Sequence, residues 1–251
     1  MSPGLYRGDL DYRFANDDRL GSWLQLRTDP SLGIDQYGLN GRFGLGEGNL
    51  LKFDGTAEPG RDAYRFGSNL QFGEALRLDA DWNRTSTGQN YGVDSAFRLG
   101  REGNGTAAFR VDEPNGTSLF NTKLNFDQDF RLNADWQRTP NGQLYGADGA
   151  FRLGREGSGT AEFRVDEPNG TSQFNTKLNF DQDFRLNADW QRTPNGQLYG
   201  ADGAFRLGRE GNGTAAFRVD EPNGTSLFNT KLNFDQDFRL NADWQRTPNG
   251  Q

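Results

Sequence analysis

The chain has 251 residues, 28 basic against 35 acidic side chains, a net charge of −7, and neither histidine nor cysteine. That composition removes the commonest general base, thiol nucleophiles, disulfides, Cys/His zinc sites and any Ser-His-Asp triad. With a sequence pI near 4.8, nucleic acid is not expected as a partner.

The first residues, Met1-Ser2-Pro3, do not open a signal peptide. Residues 1–36 read as two divergent strands. Leu10, Tyr12 and Phe14 alternate within Leu5 to Phe14, and Leu20 to Leu26 supplies the second.

From Tyr37 onward a 54-residue period takes over. Tyr37, Tyr91, Tyr145 and Tyr199 recur at that interval, and so do Trp82, Trp136, Trp190 and Trp244. The units are 37–90, 91–144, 145–198 and 199–251, and the second and third differ at five positions: 93/147, 95/149, 104/158, 108/162 and 119/173. Such copying builds an array from one supersecondary element, so 1–251 reads as a single repeat domain. The pattern breaks off in mid-unit at Gln251, which suggests a longer array.

Within the unit 145–198 four segments alternate with period two. Tyr145, Ala147, Gly149, Phe151 and Leu153 share one face, then Ala161, Phe163 and Val165, then Phe174, Thr176, Leu178 and Phe180, then Phe184, Leu186, Ala188 and Trp190. Arg152, Glu162, Arg164, Lys177, Arg185 and Asp189 fall on the opposite face. Each unit is therefore expected to hold four strands with one apolar and one polar face. The joints carry turn chemistry: the segment from Arg155 to Gly159, Pro168-Asn169-Gly170, Asp181-Gln182-Asp183 and Pro194-Asn195-Gly196. These connections are too short for parallel crossovers. A two-residue turn at Asn169-Gly170 would set Val165 opposite Phe174. A reversal centred on Gln182 would pair Phe180 with Phe184 and Phe174 with Trp190. A turn at Asn195-Gly196 would set Trp190 opposite Ala201. All these pairings keep the apolar residues on one face.

The expected fold is all-β: an antiparallel up-and-down meander of about 18 strands. An apolar face of this size must be covered. The sheet is expected to close as a β-barrel with that face in lipid, the soluble alternatives being a sandwich or a curved sheet. Charged residues on every strand argue against a propeller, whose inner strands are apolar on both faces. Strands such as 144–154 and 184–193 are long enough for a tilted strand to cross hydrocarbon. Against this stand the thin apolar stripe of Ala161, Phe163 and Val165, the short turns, and a mean hydropathy of −0.90.

The alternation, the turns and the Arg- and Asp-rich second face resemble bacterial outer-membrane β-barrels along the whole chain. That resemblance implies a pore or export channel in a cell envelope. Residues 8–53 carry Gly8-Asp9-Leu10-Asp11-Tyr12-Arg13-Phe14, Leu20-Gly21 and the segment Tyr37 to Phe43. This stretch is similar to the glycine-rich C-terminal region of attacins, secreted antibacterial proteins of insects. The shortage of lysine and the tandem repeat depart from that family.

Several features have both a functional and a structural reading. Arg110, Arg131, Asp135, Arg164, Lys177, Arg185 and Asp189 could line a lumen, or form a solvated face with cross-strand ion pairs. Trp136, Tyr145, Trp190 and Tyr199 suit an aromatic belt at a membrane interface; tryptophans on this face fit core or lipid contact better than sugar stacking. The acids Asp112, Glu113, Asp127 and Asp129 read as solvated turn residues in preference to a weak Ca²⁺ site. Asn-Gly-Thr at Asn104, Asn115, Asn169, Asn212 and Asn223, and Asn83-Arg84-Thr85, fit sequons, but Asn-Gly more simply makes the turn.

The expectation is thus a non-enzymatic envelope β-barrel acting as a pore, in the outer membrane or secreted, with a lipid bilayer as partner. No cofactor, metal or small-molecule ligand is implied, and self-association is open. The alternative is a soluble extracellular repeat protein with a structural, adhesive or attacin-like antibacterial role.

Overall fold

The computed structural model describes residues 9–13, 23–28, 37–46, 48–180, 183–234 and 238–248. Among the described residues the chain is an all-β antiparallel meander of 18 strands. In order they are β1 (Asp9–Arg13), β2 (Trp23–Thr28), β3 (Tyr37–Gly44), β4 (Leu50–Glu58), β5 (Ala63–Phe72), β6 (Leu76–Thr85), β7 (Gly88–Leu99), β8 (Gly103–Asp112) and β9 (Thr117–Phe126). Then follow β10 (Phe130–Thr139), β11 (Gly142–Leu153), β12 (Gly157–Asp166), β13 (Thr171–Phe180), β14 (Phe184–Thr193), β15 (Gly196–Leu207), β16 (Gly211–Asp220), β17 (Thr225–Phe234) and β18 (Phe238–Arg246). A 3-10 turn at Pro59–Arg61 interrupts the pattern between β4 and β5. The N-terminal strands expected from Leu5 and Leu20 appear as β1 and β2, paired Asp9 with Arg27 through Arg13 with Trp23. The rest of those two segments lies outside the described residues.

The chain divides into two compact units. One is Met1–Leu124 with Gln137–Pro140, the other Asn125–Trp136 with Asn141–Gln251. In the first, consecutive strands from β1 to β8 pair antiparallel. In the second, the same holds from β11 to β18.

Two hairpins differ in register from the expectation, each by two residues. Val165 pairs with Ser172, and Phe163 with Phe174. The loop has four residues, Glu167 to Gly170, because Pro168 and Asn169 take the centre of a turn closed by Gly170 N–H to the Glu167 carbonyl at 3.0 Å. Gly170 follows at φ 63°, the left-handed region that glycine enters without steric cost. The Asn169 N–H donates to Asp166 Oδ1 at 3.1 Å, so the asparagine of the sequon serves the turn. In the second hairpin Trp190 pairs with Tyr199. Thr193 is opposite Gly196, so the two-residue loop is Pro194-Asn195. Gly196 stands at φ 135°, and the Asn195 N–H donates to Thr193 Oγ1 at 3.3 Å. The third expected reversal is as read: Phe180 faces Phe184 and Phe174 faces Trp190. The tips Asp181 and Gln182 lie outside the described residues.

The pairing also climbs along the sheet. From Tyr145 it runs through Val165, Ser172 and Arg192 to Gln197. Gln197 lies two positions before Tyr199, the copy of Tyr145, so the register shifts by two residues for every four strands.

The expected closure as a barrel is not present among the described pairings. β18 is bonded to β17, and all nine of its residues are exposed. Closure requires the last strand to find a ladder for its second edge, and no described pairing supplies one. A sandwich-like core is also not seen: among the described residues Leu50 is the one buried apolar side chain. Phe163, Phe174 and Phe184 are each 39% exposed, and Phe180 is 41% exposed. The thin apolar stripe of β12 is thickened by its neighbour, since the Phe151 ring on β11 covers Gly159 and occupies the space a Cβ would need.

Candidate functional site: the charged face

The polar face is built by strand alternation and by one recurring device. Gly146 on β11 has no side chain, so Arg164 from β12 lies flat across it. A Cβ at position 146 would come within 2.5 Å of Arg164 Cδ. The guanidinium thereby reaches Asp135 on β10, two strands away, while also facing Asp148 on β11 at 3.3 Å and Glu162 at 3.4 Å. Asn133 holds the other oxygen of Asp148 at 2.9 Å.

The same arrangement recurs one repeat later. Arg218 on β16 passes over Gly200 to Asp189 on β14 and faces Asp202 at 3.6 Å. It is also present in the first unit, where Arg110 on β8 crosses Gly92, meets Asp94 and stands 3.4 Å from Asp81. These groups keep roughly a third to three fifths of their side-chain surface exposed. Water screens such pairs, and each contributes little to stability.

Of the expected lumen-lining residues, the structure joins Arg110, Asp135, Arg164 and Asp189 to these clusters. Arg131, Lys177 and Arg185 are exposed and stand outside them. Asp81 is the copy of Asp135 one repeat earlier, whereas the acidic partners Asp94, Asp148 and Asp202 were not singled out from sequence. Their positions on the polar face were legible, but their pairing depends on which glycine the arginine crosses.

The opposite face carries the aromatics. Trp136 Nε1 donates to Gln143 Oε1 and Trp190 Nε1 to Gln197 Oε1, both at 2.9 Å. Tyr145 packs on Phe163 with ring centroids 6.3 Å apart, and Tyr199 on Phe217 at 6.1 Å. At the other end of the strands Phe180 meets Phe184 at 5.6 Å. The glutamine partners were missed in sequence because they lie at the strand entrance, outside the apolar run. Among the described residues no group of three carboxylates converges to hold a metal ion, and no helix is long and apolar enough to cross a membrane.

No protein-family model matches the chain, and no curated protein is similar to it.

Proposed function

We propose that the chain is a non-enzymatic cell-envelope protein whose apolar face contacts lipid and whose charged face lines a water-filled pore. The carrying observation is the bare apolar face. Phenylalanines 163, 174, 180 and 184 lie together on one side of the sheet at about 40% exposure, with no core above them among the described residues. A water-soluble sheet buries such a face, whereas a membrane sheet turns it to hydrocarbon.

Dimensions and rim chemistry support the reading. On β11 the apolar set runs from Tyr145 to Leu153. If the sheet closes in the bilayer, its two-in-four register gives a strand tilt of about 19°. The eight steps from Tyr145 to Leu153 then span about 25 Å of height, the size of a barrel's apolar band. That tilt is lower than the 35–45° usual for barrels, so this would be a steep-stranded member of the class. Trp136 and Trp190 satisfy their N–H groups through Gln143 and Gln197 beside the turns, as suits the edge of hydrocarbon. The pore requires the open ladder to close on insertion.

A second reading, a soluble extracellular repeat protein, draws on the short loops. Pro194-Asn195 has two residues and Glu167 to Gly170 has four. Membrane barrels usually carry long loops on one side.

The test is expression without detergent, followed by size exclusion with light scattering and far-UV circular dichroism. Aggregation rescued by detergent with the β signal intact, followed by stepwise conductance in planar bilayers, is the expected result. A detergent-free β-rich monomer would overturn the membrane reading.

A further inference from the structure

The charged face is not uniform. Toward the Pro-Asn-Gly turns, each crossing arginine faces at least two carboxylates, so these clusters carry net negative charge. Toward the Phe180–Phe184 reversal the balance changes sign. Lys177 on β13 is opposite Thr160 and Asn187, and Arg185 on β14 is opposite Asn179 and Ala204. One repeat on, Lys231 is opposite Thr214 and Asn241, and Arg239 is opposite Asn233. All four cations are exposed, and none makes an ion pair among the described residues.

Of the carboxylates on this face, Glu162 and Asp189 are diagonal to Lys177 and Asp202 is diagonal to Arg185, and each of the three faces an arginine of the crossing clusters. Asp129 is 3.5 Å from Arg152 and Asp183 is 3.5 Å from Arg206. Asp202 accepts from Asn187 at 2.9 Å and faces Arg218.

Lys177 and Arg185 are diagonal cross-strand neighbours, which places their Cβ atoms about 7–8 Å apart or somewhat less. Two like charges at that distance repel, and neither is ion-paired among the described residues. In the first full repeat the equivalent positions lack this arrangement. Asn69 stands where the lysine would be, and Arg77 is paired with Asp79 at 2.7 Å. The unpaired cations therefore do not follow from the sheet architecture itself.

We propose that Lys177 with Arg185, and Lys231 with Arg239, form an anion-binding track on the polar face that takes small oxyanions of the phosphate type. A planar guanidinium and an ammonium on adjacent strands can each donate to one tetrahedral oxyanion. The amides of Asn179 and Asn187 border the same pocket of charge. This goes beyond the pore reading, because binding needs only the polar face. In a pore the track would favour passage of anions.

The test uses the full chain in whichever medium keeps it folded, detergent or buffer. Inorganic phosphate is titrated at low ionic strength and followed by calorimetry. The comparison is the variant Lys177→Gln/Arg185→Gln/Lys231→Gln/Arg239→Gln, with its fold checked by circular dichroism. The expected result is saturable binding that weakens about tenfold or more in the variant, the loss of at least one charge-assisted contact. Lys177→Arg with Lys231→Arg should retain binding. No phosphate binding, or equal binding by the folded variant, would overturn the track. Bilayer recordings separate the two ideas: no conductance with phosphate binding intact sinks the pore and leaves the track standing.

Discussion

Arg164 reaches Asp135 across an intervening strand because position 146 on that strand is glycine. The link joins β10 to β12 on the charged face, and Arg218 with Asp189 repeats it over Gly200. A glycine that weakens a strand by its flexibility here supplies the gap that lets a long side chain bridge three strands.

Filling such a gap is best tested at Gly92, where the three atoms nearest an added Cβ all belong to the Arg110 side chain. Gly92→Val places a side chain within 2.5 Å of Arg110 Cδ. It should destabilise the first unit by about 1–3 kcal/mol, the usual penalty of overpacking. In an Arg110→Ala background the same substitution should cost markedly less. A double-mutant cycle by denaturant unfolding measures the difference, and equal costs in the two backgrounds would refute the bridge.

The two faces should respond oppositely to polarity. Trp190→Asp puts a charge among apolar side chains and removes the N–H donor to Gln197. It should cost about 1–3 kcal/mol, mainly through the lost indole packing and hydrogen bond, since a charge at the rim itself costs at most about 1 kcal/mol. Glu162→Leu alters the polar face at a position where Ala108 and Ala216 stand in the other copies. It should change stability by less than about 0.5 kcal/mol. Refolding into detergent with denaturant titration ranks the two, and a severe Glu162→Leu would mean the faces are assigned wrongly.

The turns make a graded prediction. Gly196 at φ 135° lies where only glycine is comfortable, while Gly170 at φ 63° lies in the left-handed well that asparagine tolerates. Gly196→Ala should cost about 1–3 kcal/mol, and Gly170→Asn under about 1 kcal/mol. Thermal unfolding followed by circular dichroism checks the order, and a reversed order would contradict the loop assignment Pro194-Asn195.

The indole donors offer a spectroscopic check. Trp136 and Trp190 each donate to a glutamine beside a turn. Gln143→Leu/Gln197→Leu should cost about 1 kcal/mol per lost bond and leave the β signal intact. In lipid, brominated chains should quench this fluorescence most when bromine sits near the headgroups. Strongest quenching from the bilayer centre would move the tryptophans away from the rim.

Strand number, the assignment of residues to two faces and the places where the chain reverses were all readable in the amino acids. The reason is that alternation is local: Phe174, Thr176, Leu178 and Phe180 share a face whatever strand lies beside them. Register was readable only to within two residues. Trp190 opposite Ala201 and Trp190 opposite Tyr199 preserve the same apolar face, so hydrophobic patterning cannot separate them. That choice was made by backbone geometry, with proline placing the loop at Pro194-Asn195 and Gly196 accepting the positive φ. Everything that depends on register then followed from the folded sheet. Phe151 came to lie over Gly159, Arg164 over Gly146, and Lys177 diagonally beside Arg185. Whether the sheet ends in an edge was likewise beyond the repeat pattern, which is the same for an open ladder and a closed one. Such cross-strand relations join residues far apart in sequence, and a two-residue slip would have dissolved each of them while leaving every strand intact.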